Sequence, residues 1–252
     1  MSDATYTFTV SPDFPPDRIS GWYVLNTFLQ RTLGEHIHLE LFDRFDQQRE
    51  LIAAGGVDLI YANPFDAAML VRDHGFVSVA RPDGVRDEAT IVVPADSPVE
   101  KVEDLPQGCR VASTDDPDVR MIGMIMLEPA DLGPGSIVVV ERPTYVLVAK
   151  ALLSGDADVG VFLDEAYESL SGVTRSGLRP LVASQIGVIS HMLMVGPRMA
   201  HLADRMRSLL LPMADDPAQR SIAEGLGFTG WLPVEHEETE FMIDLMDTLL
   251  AD

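Results

Sequence analysis

The chain has 252 residues, 46% of them apolar and 23% charged, which suffices for one large or two modest domains with a sizeable core. Its 40 acidic residues against 18 basic ones leave a formal net charge of −22, which argues against nucleic acid or direct insertion into an anionic membrane surface, since both want a basic face. Cys109 is the one cysteine, so no intramolecular disulfide can form, and no apolar run reaches the ~18 residues of a membrane span.

Tyr6–Val10 predicts a first strand, ended by Ser11-Pro12-Asp13-Phe14-Pro15-Pro16. Asp17–Ser20 leads into a helix whose Trp22, Leu25, Phe28, Leu29 and Leu33 share one face. Glu35–Phe42 alternates His36, His38 and Glu40 against Ile37, Leu39 and Leu41, as a half-buried strand does. A helix over Asp46–Ala54 stops at Gly55-Gly56. The strand Val57–Tyr61 follows, and Asn63-Pro64-Phe65 turns the chain into a helix over Asp66–Arg72. Phe76–Ala80 and Thr90–Val93 read as further strands.

The second half repeats this grammar. The strand Cys109–Ala112 precedes a helix at Val119–Leu127, and the strand Ile137–Val140 a helix at Thr144–Leu153. The strand Val159–Phe162 then precedes a helix at Glu165–Leu170. Leu178–Ala183 and Ile189–Val195 read as strands returning to the first domain. Helices at Ala200–Ala214, Ala218–Leu226 and Glu237–Leu250 close the chain. Strand–loop–helix alternation with short loops predicts an α/β fold of mostly parallel sheets flanked by helices.

Four stretches carry a family resemblance. Glu88–Thr114, EATIVVPADSPVEKVEDLPQGCRVAST, has the layout of an interdomain crossover. AAGGVDLIYANPFDAAML and LLSGDADVGVFLDEAYESL share one phrase of helix, Gly, Asp, apolar strand, polar turn and helix. LGFTGWLPVEHEETEFMIDLMDTL ends the chain with a Gly-aromatic-x-Pro-type turn before a helix. Over nearly its whole length the chain thus resembles the type 2 periplasmic-binding-protein fold, and within it the phosphate/phosphite/phosphonate-binding proteins of ABC transporters. The resemblance implies two lobes, 1–92 with 190–252 and 93–189, joined by hinge crossings near Val92–Pro98 and Ile186–His191, with a ligand cleft between them.

Doubly wound sheets bind ligands at strand carboxyl ends, beside helix amino termini. The loops that qualify supply Ser11; Tyr61, Asn63, Phe65 and Asp66; Ser113, Thr114, Asp116 and Arg120; Tyr145; and Phe162 with Asp164. Related proteins carry a Ser-x-Ser-Gly turn at the third loop, where this chain has DPDVRMIGM. Val119 and Met121 replace hydroxyl residues, Tyr145 stands for a His and Ala67 for a Tyr, while Asp164 keeps a carboxylate. The expectation is a small ligand that is not phosphate, phosphite or a simple alkylphosphonate, with an apolar or aromatic body and a hydroxyl or cationic group facing Asp164.

Plainer readings compete at each position. Asp115, Asp116 and Asp118 suit solvated helix caps. Tyr61, Phe65 and Phe162 suit core as well as ligand lining. His36, His38 and Glu40 have zinc-compatible spacing, but a wet edge strand explains them better. His191 suits a structural histidine, Cys109 buried filler, and Met121, Met124 and Met126 core.

No Gly-x-Ser-x-Gly, P-loop, Gly-x-Gly-x-x-Gly or His-Glu-x-x-His motif occurs, so neither cofactor, metal nor catalytic residue is expected. The leading expectation is a monomeric, non-enzymatic solute-binding protein with ABC-transporter membrane subunits as partners, or a soluble sensor or carrier. The alternatives are a cytoplasmic enzyme on this fold, like those of the menaquinone futalosine route or thiamin-pyrimidine synthesis, and an effector-binding domain of a larger regulator. MSDATYTFTVSPD lacks the charged-then-apolar layout of a secretory signal. Two locations stay open: the cytoplasm, or the periplasm or cell exterior after removal of a leader.

Overall fold

A computed structural model describes residues 5–85, 87–185, 187, 190–235, 237–241 and 243–244. The chain divides into two compact units, Met1–Arg86 with Val188–Asp252, and Asp87–Gly187.

The first unit opens with strand β1 (Thr5–Val10), helix α1 (Ile19–Leu33), strand β2 (His36–Leu41), helix α2 (Phe45–Ala53), strand β3 (Leu59–Ala62), helix α3 (Pro64–His74) and strand β4 (Val77–Asp83). Helix α1 buries Trp22, Leu25, Leu29 and Leu33 on one stripe and stops at Gly34, whose φ of +74° closes the last turn. Helix α3 starts where Asn63 caps it and Pro64 supplies a pre-set φ at its first position.

The second unit contains strands β5 (Ala89–Pro94) and β6 (Arg110–Ser113), helix α4 (Pro117–Leu127), strand β7 (Val138–Glu141), helix α5 (Tyr145–Leu153), strand β8 (Val159–Leu163), helices α6 (Asp164–Glu168) and α7 (Gly172–Ser176), and strand β9 (Leu178–Ala183). Its sheet runs β7-β6-β8-β5-β9. The chain then returns to the first unit as strand β10 (Met192–Val195), helices α8 (Ala203–Leu210) and α9 (Pro217–Gly225) and strand β11 (Gly230–Leu232), giving a sheet ordered β11-β4-β10-β3-β1-β2.

Pairing is parallel where strands are joined by helices: β1 with β2 and β3, and β6 with β7 and β8. Strands next to the crossings pair antiparallel, making both sheets mixed. β5 runs against β8 and β9, and β10 against β3 and β4.

Leu178–Ala183 departs from expectation. It stays in the second unit, where Ile91 sits opposite Val182, and of the two strands expected to return it is β10 that joins the first sheet. A short run with one half-buried face looks the same in sequence whichever sheet it edges. The expected crossing Ile186–His191 and strand Ile189–Val195 fall partly outside the described residues. So does the closing helix Glu237–Leu250, of which 237–241 and 243–244 are helical.

The first core gathers Phe8, Trp22, Leu25, Leu29, Tyr61, Phe228 and Trp231, with Trp22 4.7 Å from the Tyr61 ring. The second includes Val92, Val148, Leu152, Phe162 and Tyr167. Among the described residues no helix is long and apolar enough to cross a membrane.

Candidate functional site

In the first unit the strand ends converge on a buried polar cluster. The Ser11 N–H donates to the Tyr61 carbonyl at 2.8 Å, which locks the loop after β1 to the end of β3. Asn63 does three things at once. Its Oδ1 accepts from the Asp66 N–H at 2.7 Å, and its Nδ2 donates to Ser11 Oγ at 3.1 Å and to Asp66 Oδ2 at 3.0 Å.

The Asp66 side chain is buried and accepts from Arg49 Nε at 2.7 Å. Arg49 in turn lies 5.2 Å from the Phe65 ring and 5.4 Å from Phe45. Burial pushes the Asp66 carboxyl up; Arg49 and Asn63 pull the other way, and the Asp13 charge adds to the rise.

Asp13 shows the opposite balance. Burial opposes its ionisation, yet the His191 charge and hydrogen bonds outweigh it and hold the carboxyl below its ordinary value. The His191 Nε2 lies 3.0 Å from Asp13 Oδ2, and its ring stacks on Tyr61 at 5.1 Å and 19°. His191 is thus held on two sides, by the Asp13 carboxyl and by the Tyr61 ring.

In the second unit the loop after β6 starts α4, and here Asp116 is both cap and hub. Its Oδ1 accepts the N–H groups of Asp118 at 3.1 Å and Val119 at 3.3 Å, while its Oδ2 accepts the Tyr145 hydroxyl at 2.9 Å. Solvated caps were expected; Asp116 does cap the helix, but the expected solvation is not found there, since Asp116 is 6% and Asp118 1% exposed, and of the three aspartates Asp115 alone is exposed. Ser113 and Thr114 are buried beside them, Thr114 Oγ1 accepting from the Asp116 N–H at 3.4 Å.

The Tyr145 ring stacks on Phe162 at 6.0 Å, and Phe162 meets Tyr167 edge-on. Asp164 accepts from Thr90 Oγ1 at 2.6 Å, and its N–H donates to the Glu88 carbonyl at 2.8 Å.

The predicted site residues thus fall into local groups. Ser11, Tyr61, Asn63 and Asp66 form one network, with Phe65 attached through Arg49. Asp116, Tyr145 and Phe162 form another, and Thr114 adjoins it. Arg120 stands apart, exposed and 3.5 Å from Glu141. Phe162 and Tyr61 are core residues, at 0% and 5% exposure.

His36, His38 and Glu40 are exposed on the edge strand β2. Two of them, with Tyr23, Asn26 and Gln30, line a cavity of about 400 Å³ at the amino-terminal end of that strand. Cys109 is buried, and burial raises its thiol pKa, as suits an inert core cysteine. Met121 is buried, whereas Met124 and Met126 are half-buried.

Sequence reasoning missed Arg49, Thr90 and the pairing of Asp13 with His191. Each acts through a partner far along the chain, and only the Phe45-x-x-x-Arg49 spacing on one helix face offered a local signal.

Residues 8–239 match the family described as ABC transporter, phosphonate, periplasmic substrate-binding protein. No curated protein sequence matches the chain. Among solved structures, XAC2383 from Xanthomonas citri bound to chloride ion superposes with a TM-score of 0.80 at 17% identity, covering 99% of this chain and 98% of that one. PhnD1 from Prochlorococcus marinus in complex with methylphosphonate gives 0.81 at 10% identity over 100% of both chains. The periplasmic aliphatic sulphonate-binding protein SsuA from Escherichia coli gives 0.67 at 15% identity, covering 98% of this chain and 87% of that one. The two-lobed α/β fold is that of periplasmic binding proteins, and the chain belongs to the phosphonate-type periplasmic substrate-binding family of ABC transporters.

Proposed function

We propose that this protein is a non-catalytic solute-binding protein, and that the ligand it takes carries no phosphoryl dianion. The strand-end loops described above are the proposed ligand contacts, and ABC-transporter membrane subunits are the proposed partners. One observation carries the ligand reading. The donors best placed to hold an oxyanion beside α4, the N–H groups of Asp118 and Val119 and the Tyr145 hydroxyl, already converge on the buried carboxylate of Asp116.

A phosphoryl group entering there would meet the Asp116 carboxyl oxygens, acceptors like its own, where the donors are already engaged. Every oxygen left without a donor costs about 1–3 kcal/mol, and more when charged. Val119 and Met121, at positions where relatives carry hydroxyls, add none. Phe65 and Tyr145 are half-buried and keep surface for an apolar ligand body, while Asp164 offers an acceptor for a hydroxyl or cationic group.

Titration calorimetry with phosphate, phosphite and methylphosphonate tests the reading. No sub-micromolar binding is expected for any of the three. Such binding by one of them would overturn the ligand assignment while leaving the solute-binding role intact.

A further inference from the structure

The unit boundaries fall between Arg86 and Asp87 and between Gly187 and Val188, so the chain enters and leaves the second unit beside Glu88 and Gly187. Glu88 joins these two points. Its Oε1 accepts the Gly187 N–H at 2.7 Å, and its Oε2 accepts the Ser184 hydroxyl. Ser184 is itself bound on both sides to the residue after Glu88: its Oγ accepts the Ala89 N–H at 2.9 Å, and its N–H donates to the Ala89 carbonyl at 2.8 Å.

Gly187 has φ +70°, a left-handed conformation that a side chain would strain, and this turns its N–H onto the carboxylate. The Glu88 carbonyl also accepts the Asp164 N–H, and Thr90 donates to the Asp164 carboxylate. One short segment, Glu88–Thr90, thus holds the other crossing through Glu88 and a candidate ligand contact through Thr90.

We propose that Glu88 is a positioning residue: its carboxylate ties the two crossings together where they leave the second unit, so that they flex as one pivot instead of two independent linkers. A charged acceptor suits the task, because charge-assisted hydrogen bonds are roughly twice as strong as neutral ones and are aimed by the two oxygens. The reason such a tie matters rests on the solute-binding reading, in which hinge motion accompanies ligand capture. The tie itself is testable without any ligand.

The experiment places spin labels at Thr27→Cys and Val173→Cys, one exposed position in each unit, with Cys109 buried and out of reach. Pulsed electron resonance then reads the distribution of distances between them. Glu88→Ala should broaden that distribution, and Gly187 amide exchange should rise about tenfold, the loss expected from one charge-assisted hydrogen bond. Glu88→Gln keeps a carbonyl that can accept from Gly187 and should stay near the parent width.

An unchanged distribution in Glu88→Ala overturns the proposal, and so does a Gln variant as broad as the Ala variant. Broadening together with lost exchange protection across β5 and β9 also overturns it, since the unit would then have loosened as a whole. Failure of any of these leaves the calorimetric test of the ligand untouched.

Discussion

Replacing Asp116 by Ala removes two contributions at once, and a double-mutant cycle with Tyr145→Phe separates them. Loss of the cap leaves the Asp118 and Val119 N–H groups without their acceptor, which costs about 0.5–2 kcal/mol by comparison with other capping residues. Loss of the Tyr145 hydroxyl's charged acceptor costs about 1.5–3 kcal/mol more. Asp116→Ala should therefore destabilise the protein by about 2–4 kcal/mol once part of each cost is recovered by water. Tyr145→Phe keeps the ring stacked on Phe162 and loses one bond, so about 1–2 kcal/mol is expected. In the double variant that bond is counted once, which predicts a coupling of about 1–2 kcal/mol. Asp116→Asn retains a side-chain oxygen for the cap and should cost less than Ala. Urea denaturation followed by far-UV circular dichroism reads the parent and all four variants, provided the slope stays constant while the midpoint moves. A coupling under about 0.5 kcal/mol would show that the carboxylate and the hydroxyl do not share a bond in solution, and the occupied-donor reasoning would fall with it.

Two further outcomes can be measured on the same apparatus. The Asp66 carboxyl is raised in the folded state, so the native protein takes up that proton more readily than the unfolded chain and gains stability as pH falls through the folded pKa. The urea midpoint of the parent relative to Asp66→Asn should accordingly rise on acidification from neutral pH, and a difference that stays flat or falls would contradict the assigned burial. Gly123→Ala should destabilise by about 1–2 kcal/mol, overpacking outweighing the gain in helix propensity. The added Cβ would lie 2.4 Å from Val161 Cγ1 on a buried strand, and Val161→Ala in the same protein should remove most of the cost; a neutral Gly123→Ala refutes the close approach.

Much of this fold is legible because local chemistry and global position agree. Asn63-Pro64 announces a helix start with a capping amide and a preset φ, and the helix begins there. The alternation across His36–Leu41 predicts a strand with one wet face, and β2 is an edge strand with its histidines exposed. The reading stops where identity depends on partners distant in the chain. Leu178–Ala183 is a plausible strand in either unit, and only its register with β5 decides the matter. The three residues of β11 carry too little pattern to be called a strand without β4 beside them.

The site shows the same limit more sharply. Asp116 could be read as a helix cap from its place before Pro117, but not as one that also accepts from Tyr145, because that third donor lies 29 residues later. Arg49 gave no sign of pairing with Asp66, since a charged residue on an amphipathic helix is ordinarily solvated.

The helix amino termini of both units bear on what the protein can hold. An unsatisfied helix start attracts anions through its first N–H groups and the end of its dipole. In this chain those starts are supplied from within: Asn63 takes an N–H of α3, Asp116 two of α4, and Thr144 one of α5. Thr144 and Asn63 are neutral and could share their helices with an anion. Asp116 differs, because its own carboxyl oxygens already take two of the N–H groups that an anion would otherwise use, in a chain at −22 overall. A family built to hold phosphonates has here a member whose α4 start is occupied by its own carboxylate. On the proposed reading, selectivity comes from the remaining acceptors and half-buried rings, Asp164, Phe65 and Tyr145, and a ligand that donates hydrogen bonds is expected to bind better than one that accepts them.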